Sequence, residues 1–202
     1  KAISYFFPNA KQYILTDSYR LTQKSVDATN SFYDGKIVSK SPMQLPLDFS
    51  KQALLDRLFL NTGGTSLKII SLGPGRIPNP QCLALIVEIV ENIHNYDKTA
   101  QISVISFNRD TVRSLQKEIF SKCNRSEDLL VETIDRIQGL TTDFCIFLVP
   151  TESIPYAMES NRFNVATSRA RIGTLIIADK EIAHFTSMSL ELKRYFEHVK
   201  TV

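Results

Sequence analysis

From about Leu67 onward, apolar β-branched runs alternate with stretches in which apolar residues recur every three or four positions. This is the signature of βα units wound around a parallel sheet. The runs predict strands at Leu67–Leu72, Ile102–Ser106, Leu130–Ile134, Phe144–Val149 and Thr174–Ala178. Between the first two, Asn79-Pro80 supplies a cap and a first-turn proline, and Leu85, Ile86, Ile89, Val90 and Ile93 form the apolar face of a helix. Asn108 caps a second helix whose Val112, Leu115 and Ile119 face inward, with Arg109, Arg113, Lys117 and Glu118 pointing elsewhere.

The early part reads differently. Thr22 caps a helix expected to run to Tyr33, where Asp34-Gly35 stops it. Over about residues 36–66 the pattern lapses into Ser41-Pro42, Leu45-Pro46 and Gly63-Gly64, an irregular excursion with one short helix near Lys51–Leu60. No repeat of fixed period and no low-complexity tract interrupts the chain. The economical reading is a single α/β domain over residues 1–202, an open, mostly parallel sheet with helices on both faces.

With 43% hydrophobic and 22% charged residues in 202, the chain can bury a core of that kind. It has no apolar run near the roughly 20 residues that cross a bilayer, and Lys1-Ala2-Ile3-Ser4-Tyr5 lacks a signal-peptide layout. The expectation is a protein without a membrane partner, intracellular and cytoplasmic. A first residue other than Met fits a piece of a longer polypeptide. Cys82, Cys123 and Cys145 are too scattered for a disulfide framework or a zinc site and read as reduced, mostly buried thiols. The net charge of +3 permits a nucleic-acid surface without demanding one.

Three segments carry candidate chemistry. In Asn161–Arg171, the arginines Arg162, Arg169 and Arg171 precede a buried strand. If this stretch is helical, Arg162 and Arg169 fall on one face and Arg171 does not. Such arginines form either a solvated, ion-paired edge or a phosphate site that exploits the planar guanidinium fork. In Val131–Asp143, polar residues and Gln138-Gly139 follow a strand, at the end of the sheet where ligands bind in open α/β folds; an isolated Gln-Gly is also an ordinary turn. In Leu15–Thr22, Tyr19-Arg20 precedes a capped helix. Tyr19 can stack on a base and Arg20 reach a phosphate, or the pair can pack as a snorkelling Arg beside a half-buried Tyr.

In order and spacing, these segments resemble the C-terminal motor half of superfamily 1 helicases, with the Upf-type and coronavirus-type members most alike. Arg162–Arg171 resembles motif VI, Thr133–Gly139 with Asp143 resembles motif V, Val104–Arg109 resembles motif IV, and Tyr19-Arg20 with the helix after it resembles the Tyr-Arg motif. Ser168 stands where the family usually has Thr, and Thr141 where Upf-type proteins carry Glu. The matches span Leu15 to Asp179.

The resemblance implies a RecA-like P-loop NTPase fold, the second motor domain without its own P-loop. It makes Arg169 an arginine finger and Arg20 a second γ-phosphate sensor. Tyr19, Gln138, Gly139 and, in support, Arg171 become nucleotide-side residues, and Ser106, Asn108 and Thr133 contacts to nucleic-acid phosphates. ATP and Mg2+ would be held mainly by an N-terminal RecA-like domain, with single-stranded DNA or RNA as the other partner. Consistent with that division, the chain has neither Gly-x-x-x-x-Gly-Lys-[Ser/Thr] nor an Asp-Glu dipeptide, so no ATP hydrolysis is expected of it alone. Leu175–Asp179 has the form of a Walker B strand but reads better as a buried strand ending at a turn. No metal site is expected, because His94, His184 and His198 lack partners at metal spacing. One alternative is a non-catalytic RecA-like module binding nucleic acid or protein. Another is a stand-alone enzyme using small molecules, which Leu72-Gly73-Pro74-Gly75 disfavours because it lacks the full glycine fingerprint.

Overall fold

Each apolar run becomes a strand whose side chains alternate between two separate cores. The computed structural model describes residues 15–42, 53–60, 64–123 and 126–202. The described chain opens with β1 (Asp17–Ser18), α1 (Gln23–Thr29) with a 310 turn at Asn30–Phe32, and β2 (Val38–Ser39), which pairs with β1 in parallel. Then come α2 (Ala53–Leu55), continued by a π-helical turn at Asp56–Leu60, β3 (Thr65–Ile70), α3 (Pro80–Tyr96), β4 (Ile102–Ser106) and α4 (Arg109–Lys122). They are followed by β5 (Leu129–Thr133), a 310 turn at Ile134–Ile137, β6 (Thr142–Val149), α5 (Ile154–Ala157) and α6 (Ser160–Thr167). The chain ends with β7 (Ala170–Asp179), a 310 turn at Lys180–His184, α7 (Leu190–His198) and β8 (Lys200–Thr201).

The main sheet has the order β5-β4-β6-β7-β3-β8 with all pairs parallel. This is the expected α/β class. Period-two alternation explains why both faces carry helices. Val104, Phe144, Ile146, Leu148, Leu175 and Ile177 face one core with α3 and α4, while Ile105, Phe147, Val149, Ile176 and Ala178 face the other with α6 and α7. The helix starts follow their caps: Asn79 Oδ1 accepts from Cys82 N at 2.9 Å, and Asn108 Oδ1 accepts from Asp110 N at 2.8 Å. Cys82, Cys123 and Cys145 are free thiols, and burial pushes Cys82 and Cys145 up to about 12, so neither is a thiolate at neutral pH.

Several expectations need correction. The helix after Thr22 ends at Thr29 and gives way to the 310 turn rather than continuing to Tyr33. Asp34 and Gly35, with φ of 53° and 72°, then reverse the chain. Within the expected excursion, Leu45-Pro46, Gly63 and the start of the Lys51 helix lie outside the described residues, as do Lys1–Tyr5; the described remainder includes β2 and α2. In the stretch Asn161–Arg171, α6 stops at Thr167 because Ala170 pairs with Thr142 and draws the chain into β7. Arg169 is therefore off the helix and shares no helical face with Arg162.

Gly173 marks where the π-helical turn presses on the sheet. A Cβ at this position would run into the fully buried Phe59 ring, which itself packs edge-on against Phe144 at 5.2 Å. Gly173→Ala is expected to cost about 1–3 kcal/mol through overpacking. Chemical denaturation checks this, and an unchanged midpoint would mean that Phe59 can step aside.

Candidate functional site

The C-terminal end of α6 gathers two arginines from distant parts of the chain. Arg169 follows the Ser168 cap, its carbonyl accepts from Thr142 N at 3.2 Å, and its Nε reaches back to donate to Val165 O at 2.7 Å. Arg20, between β1 and the Thr22 cap, donates from its NH1 to Ser168 O at 2.9 Å across a sequence separation of 148 residues. Both guanidinia thus rest on carbonyls at the negative pole of α6.

The two groups differ in exposure and share a charge problem. Arg169 is only 8% exposed. Burial first, and then the neighbouring Arg20 charge, hold its guanidinium below its usual value. Among the ion pairs of the described residues none involves Arg20 or Arg169, so the two like charges sit together without a carboxylate in ion-pair contact among those residues, although Asp17 also lines the cleft beside them. Burying a charge without a partner is costly, and folds usually avoid it. An anion is what this arrangement lacks.

Beside the pair opens a cleft of about 560 Å³ lined by Tyr19, Arg20, Tyr33, Thr141, Ser168 and Arg171, among others. Tyr19 is 72% exposed, presenting its ring to solvent. Arg171 is less available than expected, since its NH1 donates to Asp143 Oδ1 at 3.0 Å. The other carboxylate oxygen of Asp143 accepts from Gln101 N at 2.9 Å, which anchors the pair to the backbone ahead of β4. Tyr33 was not legible as a site residue. Its Oη accepts from Asn164 Nδ2 at 2.9 Å, a contact spanning 131 residues that no local pattern announces.

Gln138 and Gly139 do not line the cleft. They lie on the connection from β5 to β6, where Gly139 adopts φ 92°, a conformation that favours glycine. Because β5 and β6 run parallel, this connection must return the whole length of the sheet, from the strands' carboxyl ends to Thr141 in the cleft wall.

The expected nucleic-acid residues lie at the opposite end of the sheet from Arg20 and Arg169. Ser106 is turned inward: it is fully buried and its Oγ donates to Leu148 O at 2.9 Å, so its hydroxyl is committed inside the fold. Asn108 is half committed, its Oδ1 capping α4. Thr133, at the end of β5, lines a smaller cleft of about 210 Å³. Asp179 ends β7 as a buried acceptor for Leu72 N at 2.7 Å and Glu181 N at 3.0 Å, the role of a strand-ending turn. Arg162 serves neither end as an open cation, since it pairs with Glu159 at 2.6 Å and lies 3.6 Å over the Tyr156 ring.

Comparison with known proteins agrees with this architecture. The chain is 30% identical over 176 residues to an uncharacterised ATP-dependent helicase of Caenorhabditis elegans, an overlap of 81% of this chain and 11% of that protein. It thus spans about a tenth of the curated relative's length. Among solved structures it is similar to the C-terminal domain of a possible DNA helicase from Lactobacillus plantarum, with a TM-score of 0.55 at 16% identity, covering 91% of this chain and 98% of that one. That likeness concerns the fold and agrees with the expectation of a helicase C-terminal domain. The profile of the AAA domain family matches residues 4–181, and the chain belongs to that family.

Proposed function

We propose that this chain is the second motor domain of a superfamily 1-type, ATP-dependent helicase, completed by an N-terminal RecA-like half that carries the P-loop. The observation that supports the reading is the uncompensated pair Arg20 and Arg169 beside an open cleft. Two guanidinia with no ion-pair partner among the described residues fit a γ-phosphate presented by another domain, with Mg2+ held there as well. ATP bound between the halves supplies the phosphoanhydride whose cleavage drives the motor. On this chain, Arg169 opposes the charge that grows on the transferring phosphoryl group, and Arg20 orients its oxygens. The α6 carbonyls hold both side chains in place before the nucleotide arrives, so little reorganisation is needed. Tyr19 offers a stacking face to the base.

Single-stranded DNA or RNA would lie at the other end of the sheet, near Asn108 and Thr133. The connection through Gln138 and Gly139 runs between the two ends. The test is ATP turnover by the whole protein with and without single strands. Turnover that rises with the strand is expected, and turnover indifferent to it would refute the motor reading in favour of a binding module.

A further inference from the structure

Tyr33 faces the same cleft as the arginine pair, and the roles given to that cleft so far leave its hydroxyl unused. The turn that carries it is fixed from both sides. Asn30 clamps the far arm, its Oδ1 accepting from Ile37 N at 2.8 Å and its Nδ2 donating to Ile37 O at 2.9 Å. Phe32, the residue before, packs inward against Tyr195 at 5.5 Å and Phe163 at 6.3 Å. With Phe32 turned in, Tyr33 turns out: it is 42% exposed and lines the cleft with Tyr19, Arg20, Ser168 and Arg171.

The hydroxyl of Tyr33 is half committed. Its oxygen accepts from Asn164 Nδ2 at 2.9 Å, and its proton has no acceptor among the described residues. Asn164 lies on α6, and its carbonyl accepts from Ser168 N at 3.1 Å. The residue that holds Tyr33 therefore belongs to the helix end that holds Arg20 and Arg169. Asn164 Oδ1, by contrast, is buried with no partner among the described residues, an unfavourable state for an acceptor. Turning the amide over would only exchange the orphan: Oδ1 would take the Tyr33 proton and the NH2 group would be left unpaired instead. Neither orientation is satisfied inside the fold, and an anion in the cleft favours the one that leaves Tyr33 a donor. Tyr33 is also within electrostatic reach of the arginine finger candidate: burial and Arg20 lower the Arg169 guanidinium, while Cys145 and Tyr33 push it back up.

We infer that Tyr33 is a third donor to the terminal phosphate of ATP, its hydroxyl kept in the donating sense by Asn164. This rests on the phosphate reading of Arg20 and Arg169. A neutral hydroxyl adds a directed hydrogen bond without adding to the repulsion between the two guanidinia. It also separates ATP from ADP, because a donor placed for the third phosphoryl group finds no oxygen there in the diphosphate.

Tyr33→Phe in the whole protein tests it, since the ring and its packing stay and only the hydroxyl goes. Binding of ADP and of a non-hydrolysable ATP analogue is titrated by calorimetry, with ATP turnover measured alongside. Affinity for the analogue is expected to fall on the order of tenfold, and that for ADP to stay within about twofold. Equal losses for the two nucleotides, the mark of a purely structural role, or no loss for either, would overturn the assignment of Tyr33. Asn164→Asp, whose carboxylate can only accept, should give the same selective loss and little more when Tyr33 is already Phe; a full second loss would remove Asn164 from the positioning role. If Arg169→Ala lowers turnover while Tyr33→Phe shows no selectivity, the phosphate reading stands without Tyr33. If Arg169→Ala leaves turnover unchanged, that reading falls and this inference falls with it.

Discussion

Arg169→Ala in the whole protein is expected to lower strand-stimulated ATP turnover by on the order of a thousandfold, with a much smaller change in ATP affinity. The reason lies in where the positive charge is needed. A guanidinium that meets the phosphoryl group mainly as negative charge develops lowers the barrier more than it stabilises the ground state. Arg169→Lys should recover only part of the loss, because an ammonium lacks the planar fork and cannot donate to Val165 O while reaching forward. The substitution also removes a partly buried hydrogen bond, so denaturation midpoints must be measured alongside. A loss of turnover at constant fold stability supports the assignment, whereas turnover within a fewfold of the unsubstituted protein would remove Arg169 from the mechanism.

The second large effect is on stability. Phe163→Ala is expected to cost about 3–5 kcal/mol, the range for emptying a fully buried aromatic site. Phe163 is fully buried on α6, and its ring meets Tyr195 at 5.1 Å, Phe196 at 5.4 Å, Phe147 at 5.9 Å and Phe32 at 6.3 Å. It therefore joins α6 to α7, to β6 and to the turn after α1, and it fixes the helix whose end carbonyls hold Arg20 and Arg169. Equilibrium unfolding in urea reads the cost, and a value below about 1 kcal/mol would mean that neighbouring rings collapse into the space. Phe163→Leu should cost less, since it leaves a smaller cavity.

Much of the fold was legible because the central strands are buried on both faces. Ile102–Ser106 has every residue buried, and its expected bounds coincide with β4. Legibility failed where strands carry polar residues. β7 begins at Ala170, not Thr174, and its early residues include Arg171, so no apolar run announces them. Two-residue strands such as β1, β2 and β8 are too short to show any period. The last helix lies beyond the motif matches that end at Asp179, and its inward side is marked only by Leu192 and Tyr195, buried at a spacing of three behind the Ser189 cap.

At the site, motif resemblance located Arg20 and Arg169, which the fold brings to one helix end. It could not assign orientation. Ser106 and Thr133 are both small hydroxyl residues at strand ends, paired across β4 and β5, yet one is sealed inside and the other lines a cleft. That difference arises from α4 and β6 packing around them and has no local trace.

The strand order has a temporal meaning. β3 is the first strand of the main sheet along the chain, and its two neighbours, β7 and β8, are the last. As the chain emerges from a ribosome, β3 waits with both hydrogen-bonding edges unsatisfied until nearly all of residues 65–201 have been made. Sheet closure is thus a late, long-range event that carries a large loop-closure entropy and slows folding. Throughout that interval the backbone of β3 is a ready template for the wrong strand.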